Sequence, residues 1–87
     1  MMRLTVEEVG RGLHPSEAVV AVKTAEGHER LVVSRRSIVN SSIEVGWPLG
    51  HRDDLCLVEL PRETQTGAWR VWVHKDQLTE VEERMHA

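Results

Sequence analysis

Five histidines and one cysteine are the side chains in this chain best suited to hold a metal ion: His14, His28, His51, Cys56, His74 and His86. Two ligands are pre-positioned on one turn when they fall in a C-x-x-C or H-x-x-x-H pattern, and none of these six does. The spacing points to surface imidazoles and a buried thiol, so no metal and no other cofactor is expected. Cys56 as a nucleophile would need a thiolate beside a base. It sits in the apolar alternation of LCLVEL, which turns it into a core where a thiolate is costly, and no base is evident nearby. The carboxylate pairs Glu7-Glu8, Asp53-Asp54 and Glu82-Glu83 are adjacent in sequence. Neighbours on a strand point to opposite faces, so none of these pairs brings a general acid and base to one substrate. With no glycine-rich phosphate loop and no nucleophile motif, the sequence gives no grounds for an enzyme.

The elements that must position any binding residue come from a chain of 87 residues, long enough for one small domain. Thirteen valines, two isoleucines and five threonines, with no tyrosine or phenylalanine, favour strands over helices. Eleven basic and 14 acidic side chains give a net charge of −3 and no long cationic face, which argues against nucleic acid as the partner. The one basic doublet is Arg35-Arg36, and from Lys75 onwards the balance turns acidic. A lone cysteine permits no internal disulfide and favours a reducing compartment. Glutamates stand where a signal peptide needs an apolar run, and no stretch approaches the roughly 20 apolar residues of a membrane span, so a cytoplasmic location without membrane contact is expected. Asn40-Ser41-Ser42 fits the glycosylation pattern, which has no meaning without secretion.

Alternation divides the chain into short strands. LTVEEV (4–9) reads as an edge strand with Leu4 and Val6 on one face, followed by an irregular connection through Gly10, Gly12 and His14-Pro15. AVVAVKT (18–24) and ERLVVS (29–34) form a first hairpin around AEGH, with Gly27 supplying the left-handed conformation of the turn. Its register stays open. Pairing Thr24 with Glu29 sets Lys23 against Arg30, whereas a bulged turn sets Lys23 against Glu29 and is chemically preferable. The polar segment SRRSIVNSS is one helical turn or a loop, and IEV (43–45) is a short strand stopped by Gly46, Pro48 and Gly50.

The second hairpin is better specified. Cys56, Val58 and Leu60 share one face of LCLVEL, and Trp69, Val71 and Val73 share one face of AWRVWV. Facing those triplets inward pairs Leu60 with Trp69, Val58 with Val71 and Cys56 with Val73. Glu59 then stands opposite Arg70 and Leu57 opposite Trp72 on the outer face, while a slip by one residue would bury the ion pair. On this register PRETQTGA is a polar hairpin loop, Trp69 belongs to the core and Trp72 points outwards. After it, HKDQL forms a tight turn that returns Leu78 to the core, closing a domain over 1–78. Thr79 and Glu82 have capping-box spacing, and Leu78, Val81 and Met85 helical spacing, so 79–87 is a short terminal helix or a frayed tail.

This order of elements, and WRVWVHKDQL in particular, resembles the SH3-like small β-barrel, whose last full strand ends in a V-x-K/P-x-x-L turn that seats a leucine. The likeness covers the last quarter of the chain specifically and implies a mainly β fold, a barrel of five or six strands. Function does not follow from so widespread a fold. The aromatic groove with which SH3 domains hold proline-rich peptides is missing, and a tudor-type cage for methyl-lysine would need more aromatics than Trp47, Trp69 and Trp72.

Two binding readings remain. In the first, the domain is a non-catalytic interaction module whose outer sheet face, Leu55, Leu57, Arg70 and Trp72, docks a protein partner or a second copy of the chain, unless the N-terminal strand or terminal helix covers it. Trp47, bounded by Gly46 and Pro48, is either a plug for one end of the barrel, the favoured reading, or an exposed anchor for the same partner. In the second, single-stranded nucleic acid lies on Arg35, Arg36, Arg52, Arg62 and Arg70 with a base stacked on Trp72.

Overall fold

A computed structural model describes residues 1–81. The fold is mainly β, as composition requires. Among the described residues nine strands run in order: β1 (Met2–Thr5), β2 (Glu7–Arg11), β3 (Glu17–Thr24), β4 (Gly27–Ser34), β5 (Ser42–Val45), β6 (Gly50–Arg52), β7 (Leu55–Glu59), β8 (Arg70–His74) and β9 (Leu78–Glu80). Single 3-10 turns at Arg35–Ser37 and Lys75–Gln77 follow β4 and β8. The strands form three antiparallel three-stranded sheets, β5-β1-β9, β2-β3-β4 and β6-β7-β8.

These sheets do not close into the expected five- or six-stranded barrel. The outer edge of β4 is met by the 61–68 loop, where the Gln65 N–H donates to the Arg30 carbonyl at 2.8 Å, instead of by a strand. A cleft of about 520 Å³, lined by Val33, Ile43, Val45 and Leu60 among others, remains where β4, β5 and the end of β7 meet. One core still joins the sheets: Leu4, Val6, Val20, Val22, Leu31, Val33, Ile43, Val45, Cys56, Val58, Leu60, Val71 and Val73 form a single buried cluster. The alternation of apolar residues in β3, β4, β7 and β8 is what aims them there.

The first hairpin adopts neither of the two registers considered. Thr24 pairs with Gly27 across a two-residue turn, so Lys23 faces His28, Val22 faces Glu29, and Arg30 faces Ala21. Gly27 has φ of 143°, outside the range of ordinary side chains. Shifting the Thr24–Glu29 pairing by two residues preserves the buried face, with Val20 opposite Leu31, and separates the like charges of Lys23 and Arg30. The N-terminal run splits into β1 and β2, with Leu4 and Val6 both buried as expected and a register shift between Glu8 and Gly10 carrying β2 on to Arg11. Leu78 packs against the core after its 3-10 turn, in agreement with the sequence. The expected helix does not start at Thr79, because Thr79 and Glu80 continue β9, which pairs with β1. The rest of that segment, 82–87, lies outside the described residues.

Candidate functional site

The β7–β8 hairpin has the register that burial demands: Cys56 pairs with Val73, Leu57 with Trp72, Val58 with Val71 and Glu59 with Arg70. Leu60 continues it, its N–H donating to the Trp69 carbonyl at 2.8 Å. Leu55, Leu57, Arg70 and Trp72 therefore share the outer face, with the Arg70 Nε donating to Glu59 Oε2 at 3.2 Å. Strand β6, which the sequence reading missed, extends this face. Gly50 pairs with Leu57 and Arg52 with Leu55, across a turn in which Asp53 takes φ of 53°. A Cβ on Gly50 would stand 3.8 Å from both Leu57 Cβ and Trp72 Cη2, so the indole lies across Leu57 as far as the glycine. The Arg52 guanidinium is 5.0 Å from the Trp72 ring centroid, within cation–π range. Leu55, Leu57 and Trp72 are half-buried and stand outside the core cluster.

The backbone ties this face to the first hairpin, where the Ala25 N–H donates to the Trp72 carbonyl at 2.9 Å. A groove of about 360 Å³ runs there, between Thr24, Glu26 and His28 on one side and Arg70 and Trp72 on the other.

Trp69 is not in the core. It is 51% exposed, because Thr64 (5% exposed) and Ala68 close that end of the core instead. The Thr64 hydroxyl accepts from the Ala68 N–H at 3.0 Å and the Thr64 N–H donates to the Ala68 carbonyl at 2.8 Å, a local ring that fills the space an indole would need. Trp47 is not a plug either; it is 59% exposed and leads through Pro48 and exposed Leu49 into β6. The Leu49 N–H donates to the Leu57 carbonyl, which sets this segment beside the outer face.

The arginines named for nucleic acid are divided: Arg52 and Arg70 accompany Trp72, whereas Arg35 and Arg62 have carboxylate partners elsewhere. Arg52 lies on that ring, Arg35 pairs with Glu8 at 2.9 Å and Arg62 with Glu17 at 3.7 Å. Among the described residues no three metal-binding side chains converge. Cys56 does have a base beside it, against the sequence reading: its cross-strand partner His51 places Nδ1 3.5 Å from Sγ. Cys56 is nonetheless a buried residue of the core cluster, 4% exposed.

The anchoring of the 61–68 loop also escaped the sequence. The Thr66 hydroxyl donates to Glu29 Oε1 at 2.6 Å, and this bond, followed by one from Thr64, holds the Glu29 carboxyl below its usual value. The signal was there only as two threonines in a loop and a glutamate on a strand 37 positions away. No helix of the described residues is long and apolar enough to cross a membrane. Comparison of the chain with protein-family models, curated proteins and solved structures finds no match.

Proposed function

We propose that this protein is a non-catalytic interaction module that docks a protein chain, another or its own, on the outer face of the β6-β7-β8 sheet. The observation that carries the reading is the continuous row of Leu55, Leu57 and Trp72 outside the core, flanked by Arg52 and Arg70. Tryptophan and arginine are the side chains most enriched among residues that dominate interface energy, and a half-buried indole on a rigid strand loses little conformational freedom when it is covered. Trp47 and Leu49, just before β6, are exposed apolar side chains as well. The Glu59–Arg70 pair supplies a polar rim. No cofactor is needed.

The test is a photo-crosslinking amino acid placed at Leu57, and as a control at Lys23, in the cells of origin. Crosslinks to one protein, or to a second copy, from position 57 and not from position 23 are expected, and Trp72→Ala in the same chain should abolish them. Equal crosslinking from both positions, or none from 57, would refute the proposal.

A further inference from the structure

Around the 3-10 turn Arg35–Ser37 arginines from several elements gather beside Glu8 and Glu17. Arg11 ends β2, Arg35 and Arg36 lie on the turn, and Arg62 lies in the loop after β7. Arg11 and Arg35 line one cleft of about 480 Å³ together with His14 and Glu17. Arg62 joins them through Glu17 at 3.7 Å. The turn itself is pinned by Arg3, whose guanidinium donates to the Ser37 carbonyl at 3.0 Å and the Ser42 carbonyl at 2.8 Å. Arg35 and Arg62 each have one carboxylate partner, whereas among the described residues none lies within 4.0 Å of Arg11 or Arg36.

The same path ends on an aromatic ring. Trp69, half exposed, lines with Arg62 a shallow cleft of about 330 Å³ that also includes Leu31, Val32 and Glu63. Arg11, Arg35, Arg62 and Trp69 thus follow one another along the surface. The chain's formal charge of −3 does not oppose an anion here. The described molecule extends 41 Å by 34 Å, and at physiological salt charges more than about 8 Å away are largely screened, so the potential is set by the local groups, four arginines against Glu8, Glu17 and Glu63.

We propose that this path binds single-stranded nucleic acid, with phosphates on Arg11, Arg35, Arg36 and Arg62 and a base stacked on Trp69. Cations along a groove that ends on an open indole are what sequence-tolerant single-strand binding uses, since every base has a π-face. An acidic peptide would answer the arginines but would leave the indole without a role. The surface is separate from the Trp72 face, where Arg52 already occupies the ring.

Fluorescence anisotropy of a short labelled oligothymidylate tests the proposal. Binding is expected at low salt, with a slope of log K against log salt of about −1.4, since the pairing of Arg35 with Glu8 and of Arg62 with Glu17 leaves two free cations, Arg11 and Arg36. Trp69→Ala should weaken binding about tenfold, Trp69→Phe should retain most of it, and Trp72→Ala should bind as the wild type. Arg11→Ala combined with Arg36→Ala should flatten the slope. Thermal unfolding of each variant checks that it is folded. Absence of binding at low salt, unchanged binding by Trp69→Ala, or equal competition by polyglutamate would overturn the proposal.

Discussion

Trp69 and Trp72 lie three residues apart in one segment and meet opposite surroundings. Trp72 stands mid-strand, with Leu57 across from it, Gly50 beyond and Arg52 at its ring. Trp69 stands one residue before β8 begins, on the side that the alternation assigns to the core, and is open to solvent. The difference teaches that alternation fixes the direction of a side chain, while its burial depends on what other segments bring to that side. At mid-strand the neighbouring strands supply the packing. At the sheet end the loop supplies Thr64 and Ala68, and the space is already filled.

The largest effect that would sharpen this contrast is expected across the hairpin from Trp69. Leu60, its buried partner, should cost about 2–5 kcal/mol as Leu60→Ala, measured by urea unfolding. If Trp69→Ala cost as much, the two positions would be equivalent and the contrast would be lost; we expect about 1 kcal/mol, since half of that residue is already in solvent. Trp72→Ala comes next, at about 1–3 kcal/mol, because only part of the 3–5 kcal/mol of a fully buried large aromatic is at stake. Arg52→Ala removes the cation at the ring and should cost about 0.5–1 kcal/mol at such an exposed position, with a change in indole emission.

The smallest expected effect concerns the loop that takes the place of Trp69. Glu29 titrates below its usual value because it accepts from Thr66 and then Thr64. A carboxylate with a depressed folded-state pKa stabilises the fold fully above its unfolded value, about 4.3, and loses that contribution as pH falls through the lower folded value. Thr66→Val should therefore reduce stability at neutral pH and make the acid limb of a stability-against-pH curve shallower. An unchanged limb would mean that Glu29 does not anchor the loop.

The legible parts of the fold were those in which one face had to be buried and the other carried charge. The β7–β8 register followed from Cys56, Val58, Val71 and Val73 together with the Glu59–Arg70 pair, and the strand that places Leu55, Leu57 and Trp72 outwards followed with it. The β3–β4 register did not, because a shift by two residues keeps Val20, Val22, Leu31 and Val33 buried and only the turn at Gly27 distinguishes the choices. Strand β6 was invisible because Gly-His-Arg has no alternation of its own, and its pairing depends on the turn at Asp53. Closure into a barrel was inferred from strand order, yet it depends on edge contacts such as that between Gln65 and Arg30, which no local pattern encodes. The exposure of Trp47 likewise depends on how the segment before β6 leaves the sheet.

The measurement that bears most directly on the division of the hairpin between an inner and an outer side is acrylamide quenching of two single-tryptophan proteins. In both, Trp47 is replaced by phenylalanine, and either Trp69 or Trp72 is kept. The Trp69 protein should emit at longer wavelength and be quenched more steeply than the Trp72 protein, which Leu57, Gly50 and Arg52 shield. Steeper quenching of Trp72 would contradict the account, since it would put the ring that we place against the sheet in open solvent.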